Sequence, residues 1–401
     1  MCVERPCVEQ TLALTWQLSE IHGWGLVGVH TALHLVGLGR PPLLLEKPLM
    51  STLRPENRDR LGVLVDGHRQ IAAIAARSAA QSADFVLGLD GCTVLHALGN
   101  GFVPGPPSAR FRGDRNVGVV AFEDTRFDRD ALERARRYDG IVVHSTFNRD
   151  LLAEQGVTGL ACAFQGVDMD ELRPVPPARR FGDRFVVFSG GKLEFRKGQD
   201  IALAAFRRFH ERHPDALLVT AWHNPWPHTS MDIAESPLTP SAPAVGDNGK
   251  LRIVEWAMAN GLPPEAFVDM GLLERHQIPA ILAECHAAIF PNRCEGATNL
   301  VAMEAMACGV PVILSANTGH LDLIRDGTCL PLSHQPPVAD PTGRRRGWGE
   351  SSVEEVVALL EALYTDRAAA RARADRAQAF LRGERTWRAF AETFVAAVAQ
   401  E

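Results

Sequence analysis

Short apolar runs alternate with segments of helical periodicity along most of this chain, and that alternation constrains the fold more than any other feature. Residues 11–18, 29–38, 42–45, 60–65, 71–80, 84–87 and 117–122 carry it in the first third. A strand that must be followed by a helix before the next strand can return in the same direction makes a parallel sheet covered by helices. At 401 residues the chain is too long for one ordinary core, so the alternation predicts two such domains.

The pattern continues with a charged helix over 128–138, a short strand over 140–144 and a helix over 148–155, taking the first domain to about residue 170. Leu172-Arg-Pro-Val-Pro-Pro-Ala-Arg-Arg has three prolines and no periodicity and reads as a linker. Strands are then expected at 185–188, 216–221, 267–270, 287–290 and 310–314, with helices at 200–213, 250–260, 277–284 and 300–308. The domains are accordingly placed at 1–173 and 181–375, with 376–401 as a closing helix that packs back on the first domain. Residues 225–247 and 336–349 read as surface loops, the second carrying a solvated Arg344-Arg-Arg346, and from Ser351 the chain reads as helical to its end.

The totals exclude several classes of function. Hydrophobic residues at 46% and charged ones at 22% fit a globular chain rather than a disordered one. A net charge of −6 leaves no electrostatic footprint for nucleic acid. The eight cysteines, at 2, 7, 92, 162, 285, 294, 308 and 329, show no CxxC pair, so no metal site is expected and a reduced, cytoplasmic compartment fits. Met1-Cys-Val-Glu-Arg-Pro is no export leader and no window approaches 18 uninterrupted apolar residues, so any membrane association is at most peripheral.

Gly23-Trp-Gly25-Leu-Val-Gly28 is literally GxGxxG between a strand and a helix, with Glu46 about 20 positions on, the spacing of a dinucleotide-binding fingerprint. The polar insert Ser19-Glu20-Ile-His22 and the indole of Trp24 do not suit a pyrophosphate. Three readings stand: NAD or FAD binding, a glycine turn that lets the helix pack on the sheet, or a wide loop whose His22, Trp24 and Gly25 line an acceptor site with Ser19 and Glu20.

Ser189-Gly-Gly191-Lys192-Leu-Glu-Phe-Arg196-Lys197-Gly198 also follows a strand and precedes a helix. Its three cations at the strand's carboxyl end predict a concentration of positive charge suited to a phosphate-bearing ligand. It is not a Walker A loop. Glu295-Gly-Ala-Thr298-Asn299-Leu300-Val-Ala-Met-Glu304 then enters a helix that stops at Cys308-Gly309. Thr298 or Asn299 is a suitable N-cap, which leaves the N–H groups near Asn299 and Leu300 to an anion. Glu304 and Glu295 stand among small apolar residues rather than on a charged face, so both read as ligand contacts.

Gly191-Lys192-Leu-Glu-Phe-Arg-Lys197-Gly198, Phe267-Val-Asp-Met270-Gly, Phe290-Pro291 and the segment from Glu295 to Ile313 together resemble the retaining GT-B glycosyltransferases of family 4 (glycosyl transferases group 1). Phe164-Gln-Gly166-Val-Asp168 and Trp387 add to the likeness, which is strong over 185–330 and looser before. The resemblance implies an α/β fold of two Rossmann-like, doubly wound domains facing across a cleft. It also implies hexosyl transfer (EC 2.4) with retention from a UDP- or GDP-sugar as co-substrate, without cofactor or metal, to a small-molecule, glycan or peptide acceptor. In the family's roles, Lys192 and Lys197 take the diphosphate, Met270 the base, Glu304 the ribose and Glu295 the sugar.

Two positions depart from the family. Eight residues rather than seven separate Glu295 from Glu304, and Glu123-Asp124 stands where the family often shows His-Asp, which makes Glu123 and Asp124 the catalytic candidates, with His96 as the alternative. The competing functions are an NAD-dependent oxidoreductase using the first glycine motif, a nucleotide-sugar epimerase or hydrolase, and a catalytically inactive binding subunit.

Overall fold

The computed structural model describes residues 10–399, so the Met1–Pro6 reading and Cys2 and Cys7 lie outside the described residues. The chain forms two compact units. Within the described residues the first comprises 10–144, 148–163 and 388–399, and the second comprises 145–147 and 164–387.

In the first unit β1 (Thr11–Leu14), α1 (Gly23–Gly37), β2 (Leu43–Leu44), α2 (Pro55–Leu61), α3 (Val65–Gln81), β3 (Leu87–Leu98), α4 (Pro106–Arg110), β4 (Phe111–Val120), α5 (Arg129–Ala135), β5 (Gly140–Val143), α6 (Thr146–Glu154, from Asn148 onward) and β6 (Leu160–Cys162) follow in order. The six strands form one sheet, all parallel, in the order β2-β1-β3-β4-β5-β6. β3 corrects the sequence reading, which placed a strand at 84–87 and none at 88–98. Its outer half is exposed and contains Gly88 and Asp90-Gly91, with a register irregularity against β4 between Leu89 and Thr93. The inner half, 92–98, is largely buried, but Thr93 and His96 interrupt its apolar run and the bulge separates it from the alternating Leu87 and Leu89.

The second unit carries β7 (Phe185–Gly190), α7 (Gln199–His210), β8 (Ala216–Ala221), α8 (Ile253–Ala259), β9 (Phe267–Asp269), α9 (Ile278–Leu282), β10 (Ala287–Phe290), α10 (Leu300–Ala307), β11 (Val312–Ser315) and β12 (Leu330–Leu332). Its sheet is also six-stranded and parallel, in the order β12-β11-β10-β7-β8-β9. Successive residues of β7 face opposite sides: Phe185 and Val187 enter one apolar core, Val186 and Phe188 the other. Burial on both faces is why these strands read as unbroken apolar runs.

The carboxy-terminal stretch is helical, as its composition predicts, and divides into three helices, α11 (Val353–Thr365), α12 (Arg367–Glu384) and α13 (Trp387–Ala399). Asp366 both ends α11 and caps α12, its side chain accepting from the Ala369 N–H. From Arg388 onward α13 belongs to the first unit, where Phe390 and Phe394 pack against the His144 ring at 5.9 and 6.4 Å. The 225–247 stretch is also more ordered than its composition suggests. It contains the 3-10 segment Pro227–Glu235, in which Ser230 and Ile233 are buried.

Candidate functional site

In the second sheet β8 and β9 lie on one side of β7, while β10 to β12 lie on the other, so the strand order reverses between β7 and β10. Ligands of open α/β sheets bind outside the carboxyl ends of strands at such a reversal. The loops leaving β7 and β10 there are 191–198 and 291–299, the two segments singled out from the sequence.

Glycines permit these loops to touch. Gly198 sits at φ +68°, and a Cβ on it would lie 2.1 Å from the Pro291 carbonyl oxygen. A Cβ on Gly190 would meet Val301 of α10 at 2.7 Å. Both close approaches exclude any side chain.

The cations of the first loop are not bare, which corrects the expected concentration of positive charge. Lys192 pairs with Glu194 at 2.9 Å and lies 5.1 Å over the Trp226 ring. Arg196 bridges Glu194 at 2.8 Å and Glu295 at 3.5 Å. Lys197 Nζ donates to Glu295 Oε1 at 2.5 Å. Three cations thus face two carboxylates and leave one net positive charge. Burial would raise the Glu295 pKa, but Lys197 and Arg196 hold it down to about 2. Burial, with Arg196 beside it, lowers that of Lys197 against the pull of Glu295.

Arg293, which the sequence reading did not single out, fixes this loop pair. It is fully buried and donates to both oxygens of Asp200 at 2.8 and 2.6 Å and to both of Glu350 at 2.7 and 2.6 Å. It also donates to the Phe195 carbonyl at 2.7 Å, while its backbone N–H reaches the Arg196 carbonyl at 2.7 Å. The 3-10 segment supports the same loop from beneath, with Asp232 accepting from the Phe195 N–H at 3.0 Å.

α10 is apolar all round and buried, so the placement of its few polar groups is informative. Asn299 is its N-cap, at φ 59°, a left-handed conformation that asparagine tolerates better than most residues, and its Oδ1 accepts from the Ala302 N–H. Leu300 and Val301 open the helix, where N–H groups have no intrahelical acceptor. Thr298 is fully buried, with an Oγ1 that has no hydrogen-bond partner among the described residues.

Behind the cap lies His320, also missed from the sequence. Ser315 Oγ donates to the Asn292 carbonyl at 2.6 Å, so it must accept from His320 Nδ1–H at 2.9 Å, and His320 Nε2 then accepts from Asn299 Nδ2 at 2.9 Å. Only a neutral imidazole satisfies both contacts, and burial lowers its pKa to about 4. Gly319 closes the turn beside it, with its N–H on the Glu295 carbonyl at 3.0 Å.

Glu304 points a buried carboxylate at Arg275, whose Nη1 donates to Oε1 at 3.1 Å. Burial raises the Glu304 pKa and Arg275 opposes the rise. Met270 follows β9 with its N–H on the Thr220 carbonyl at 2.7 Å. Gly166 of the Phe164–Asp168 motif lies where a Cβ would be 2.3 Å from the Thr386 backbone.

In the first unit Gly25 and Gly28 serve helix packing: a Cβ on the first would lie 2.2 Å from Ser19 Oγ, and on the second 2.6 Å from Leu18 and 2.7 Å from the Trp16 indole nitrogen. His22 caps α1, its Nδ1 accepting from the Gly25 N–H at 3.0 Å. Trp24 is half-buried, edge-on to Trp16 at 5.8 Å and to His144 at 6.4 Å. Glu20 is committed to the chain itself, accepting from the Arg54 N–H at 2.8 Å and Asn57 Nδ2 at 2.5 Å. Glu46 accepts from the Lys47 N–H at 3.1 Å.

Glu123 and Asp124 are half-exposed on the loop leaving β4, and Asp124 Oδ1 accepts from the Arg126 N–H at 3.0 Å. Asn148 fixes the start of that loop by bonding both backbone groups of Phe122. His96 lies wholly inside the unit, bonded to Asn116 Oδ1 at 3.0 Å, with Tyr138 5.3 Å away, and burial lowers its pKa to about 4. Among the described residues no cluster of side chains suits a metal ion, and no helix is long and apolar enough to cross a membrane.

Residues 244–394 match a family model described as family 4 glycosyltransferase in conflict systems. The GDP-mannose-dependent alpha-(1-6)-phosphatidylinositol monomannoside mannosyltransferase of Mycolicibacterium smegmatis is 29% identical over 176 residues. That alignment covers 40% of each chain, so this chain spans well under half the length of the curated relative. Two solved structures share the fold over nearly the whole length. Anabaena HepE in complex with UDP and glucose has a TM-score of 0.64 at 13% identity, with 97% of this chain and 99% of that one covered. Sucrose-phosphate synthase from Thermosynechococcus elongatus has a TM-score of 0.62 at 15% identity, covering 96% and 98%. The expected GT-B architecture is therefore the one observed.

Proposed function

We propose that this chain, a GT-B protein whose residues 244–394 are of the family 4 (group 1) glycosyltransferase kind, moves a sugar from a nucleoside diphosphate sugar to an acceptor nucleophile with retention at the anomeric carbon. The observation that carries the reading is that the loop holding Arg196 and Lys197 on Glu295 packs, at the strand-order reversal, against Pro291 and the opening turn of α10, the helix that carries Glu304.

The reaction breaks the bond between the anomeric carbon and the diphosphate and forms one to the acceptor oxygen, whose proton leaves. Negative charge grows on the departing diphosphate. Lys192, Arg196, Lys197 and the N–H groups of Leu300 and Val301 are the groups of this chain that meet it, with Thr298 Oγ1 beside them. Positioned donors in a dry site need no reorganisation as that charge appears. Glu304 takes the ribose and the backbone at Gly191 and Met270 meets the nucleotide. Glu295, with both oxygens engaged by Lys197, Asn292 and Arg196, sets those cations in place rather than gripping the sugar.

Glu123 and Asp124 are the groups proposed to receive the acceptor's proton, and His22 and Trp24 to line the acceptor. The donor is a UDP- or GDP-sugar: the curated relative is named for GDP-mannose and the HepE complex for UDP. Neither a cofactor nor a metal is required, because the counter-charges are side chains.

A panel of UDP- and GDP-sugars offered with and without hydroxyl acceptors, read by release of nucleoside diphosphate, tests the reading. Lys197→Ala is expected to lower kcat/KM by on the order of 10² to 10³, as for loss of one donor in well-studied oxyanion sites. A folded Lys197→Ala protein with near wild-type turnover would remove the phosphate assignment.

A further inference from the structure

Arg275 stands on the short 3-10 turn Arg275–Gln277, just beyond β9. Its guanidinium spans two carboxylates. Nε and Nη2 donate to Glu171 Oε2 at 3.1 and 3.0 Å, and Nη1 donates to Glu304 Oε1 at 3.1 Å. The side chains of Arg275, Glu171 and Glu304 are only 12%, 11% and 11% exposed. Among the described residues Glu304 accepts through Oε1 alone, so the carboxylate is held by one oxygen and offers the other.

The support is itself fixed. Glu171 follows Asp168, whose Oδ1 accepts from the Asp170 and Glu171 N–H groups at 3.0 and 3.1 Å, and the Val167 N–H donates to the Arg385 carbonyl at 2.8 Å. A glutamate on a helix otherwise has three side-chain torsions to sample. A planar guanidinium anchored on a second carboxylate removes that freedom in a way a lysine does not.

We propose that Arg275 is the positioning residue that fixes the Glu304 carboxylate with one oxygen free for the ribose diol of the donor nucleotide, and that it thereby sets the preference for ribonucleotides over 2′-deoxyribonucleotides. This rests on the assignment of the ribose to Glu304. The groups that bear on Glu304 are Arg275 from the 3-10 turn, Glu171 from the segment before the linker, and Cys308 one turn further along the same stretch. Burial and Glu171 make this carboxylate harder to ionise, and Arg275 opposes them. Without Arg275 it protonates at a higher pH, so ribonucleotide binding is lost earlier as the pH falls.

The test is calorimetric binding of UDP, GDP and their 2′-deoxy forms between pH 5 and 8 to the full chain and to Arg275→Gln, Arg275→Lys, Glu171→Gln and Glu304→Gln. For Arg275→Gln, ribonucleotide affinity is expected to fall roughly tenfold, as for loss of a charge-assisted contact. Its ribo-to-deoxyribo ratio should collapse toward one and its acid limb should move to higher pH. Arg275→Lys restores the acid limb but not the ratio, and supplies the reading if the glutamine variant does not fold. Glu171→Gln keeps the ratio. A preserved ratio and an unmoved acid limb in Arg275→Gln overturn the proposal. A preserved ratio in Glu304→Gln instead overturns the ribose assignment beneath it, and failure of the native chain to bind any of the four nucleotides overturns the proposed function.

Discussion

Gly319 shows how a single residue without a side chain can decide whether the site exists. A Cβ there would lie 1.7 Å from the Ala297 carbonyl oxygen and 2.8 Å from that of Glu295, both backbone atoms that cannot swing away. Gly319→Ala is therefore expected to cost about 3 kcal/mol or more, measured as a lowered midpoint of urea unfolding, with nucleotide binding weakened in the protein that still folds. An unchanged midpoint would show that the turn has room. His320→Leu leaves Asn299 Nδ2 and Ser315 Oγ without their shared partner and is expected to cost about 1–3 kcal/mol. The run from Glu295 to Glu304 was legible because a loop, a cap and a helix lie consecutively. His320, Arg275 and Arg293 were not, because the partners that tie them to the site come from sequence positions that only the fold brings near: Asn299 is 21 residues from His320, Glu304 is 29 from Arg275 and Asp200 is 93 from Arg293.

At the scale of elements, the loops after β7 and β10 behave as one body because Arg293 joins them from inside. Arg293→Met leaves Asp200 buried and stripped of its cation, and removal of one member of a buried pair typically costs about 3–5 kcal/mol. If the loops are held this way, Asp200→Asn combined with Arg293→Met recovers part of that loss, while Glu350→Gln alone, whose side chain is 34% exposed, costs much less. Equal losses in all three would place the constraint elsewhere. Strands buried on both faces were legible as apolar runs, and β7, β8 and β10 lie where their composition puts them. Elements whose apolar pattern is interrupted were not: a bulge separates Leu87 and Leu89 of β3 from its buried inner half, and the 3-10 segment Pro227–Glu235 carries no apolar run, although it supports Phe195.

At the scale of the whole molecule, three buried neutral histidines stand out among the described residues, His96 and His144 in the first unit and His320 in the second, each lowered by burial to a pKa of about 4. In the unfolded chain each binds a proton near pH 6.5, so the unfolded state holds more protons between about pH 6.5 and 4 and stability falls as pH falls through that window. The loss amounts to roughly 3 kcal/mol per histidine at its lower end. Glu295 acts in a lower window: its depressed pKa stabilises the fold above the ordinary glutamate range and that support disappears as pH falls toward 2. Thermal melts between pH 7 and 4 should show both units weakening, and a flat profile would rule out the buried neutral imidazoles. The placement of α13 has a further consequence. The first unit includes residues 388–399, which are synthesised only after the whole of the second unit has been made. On the ribosome the earlier-born sheet must therefore wait, with the surface that Phe390 and Phe394 will cover still open to water, until some 220 further residues have emerged. The order of synthesis makes the second unit the first that can be finished.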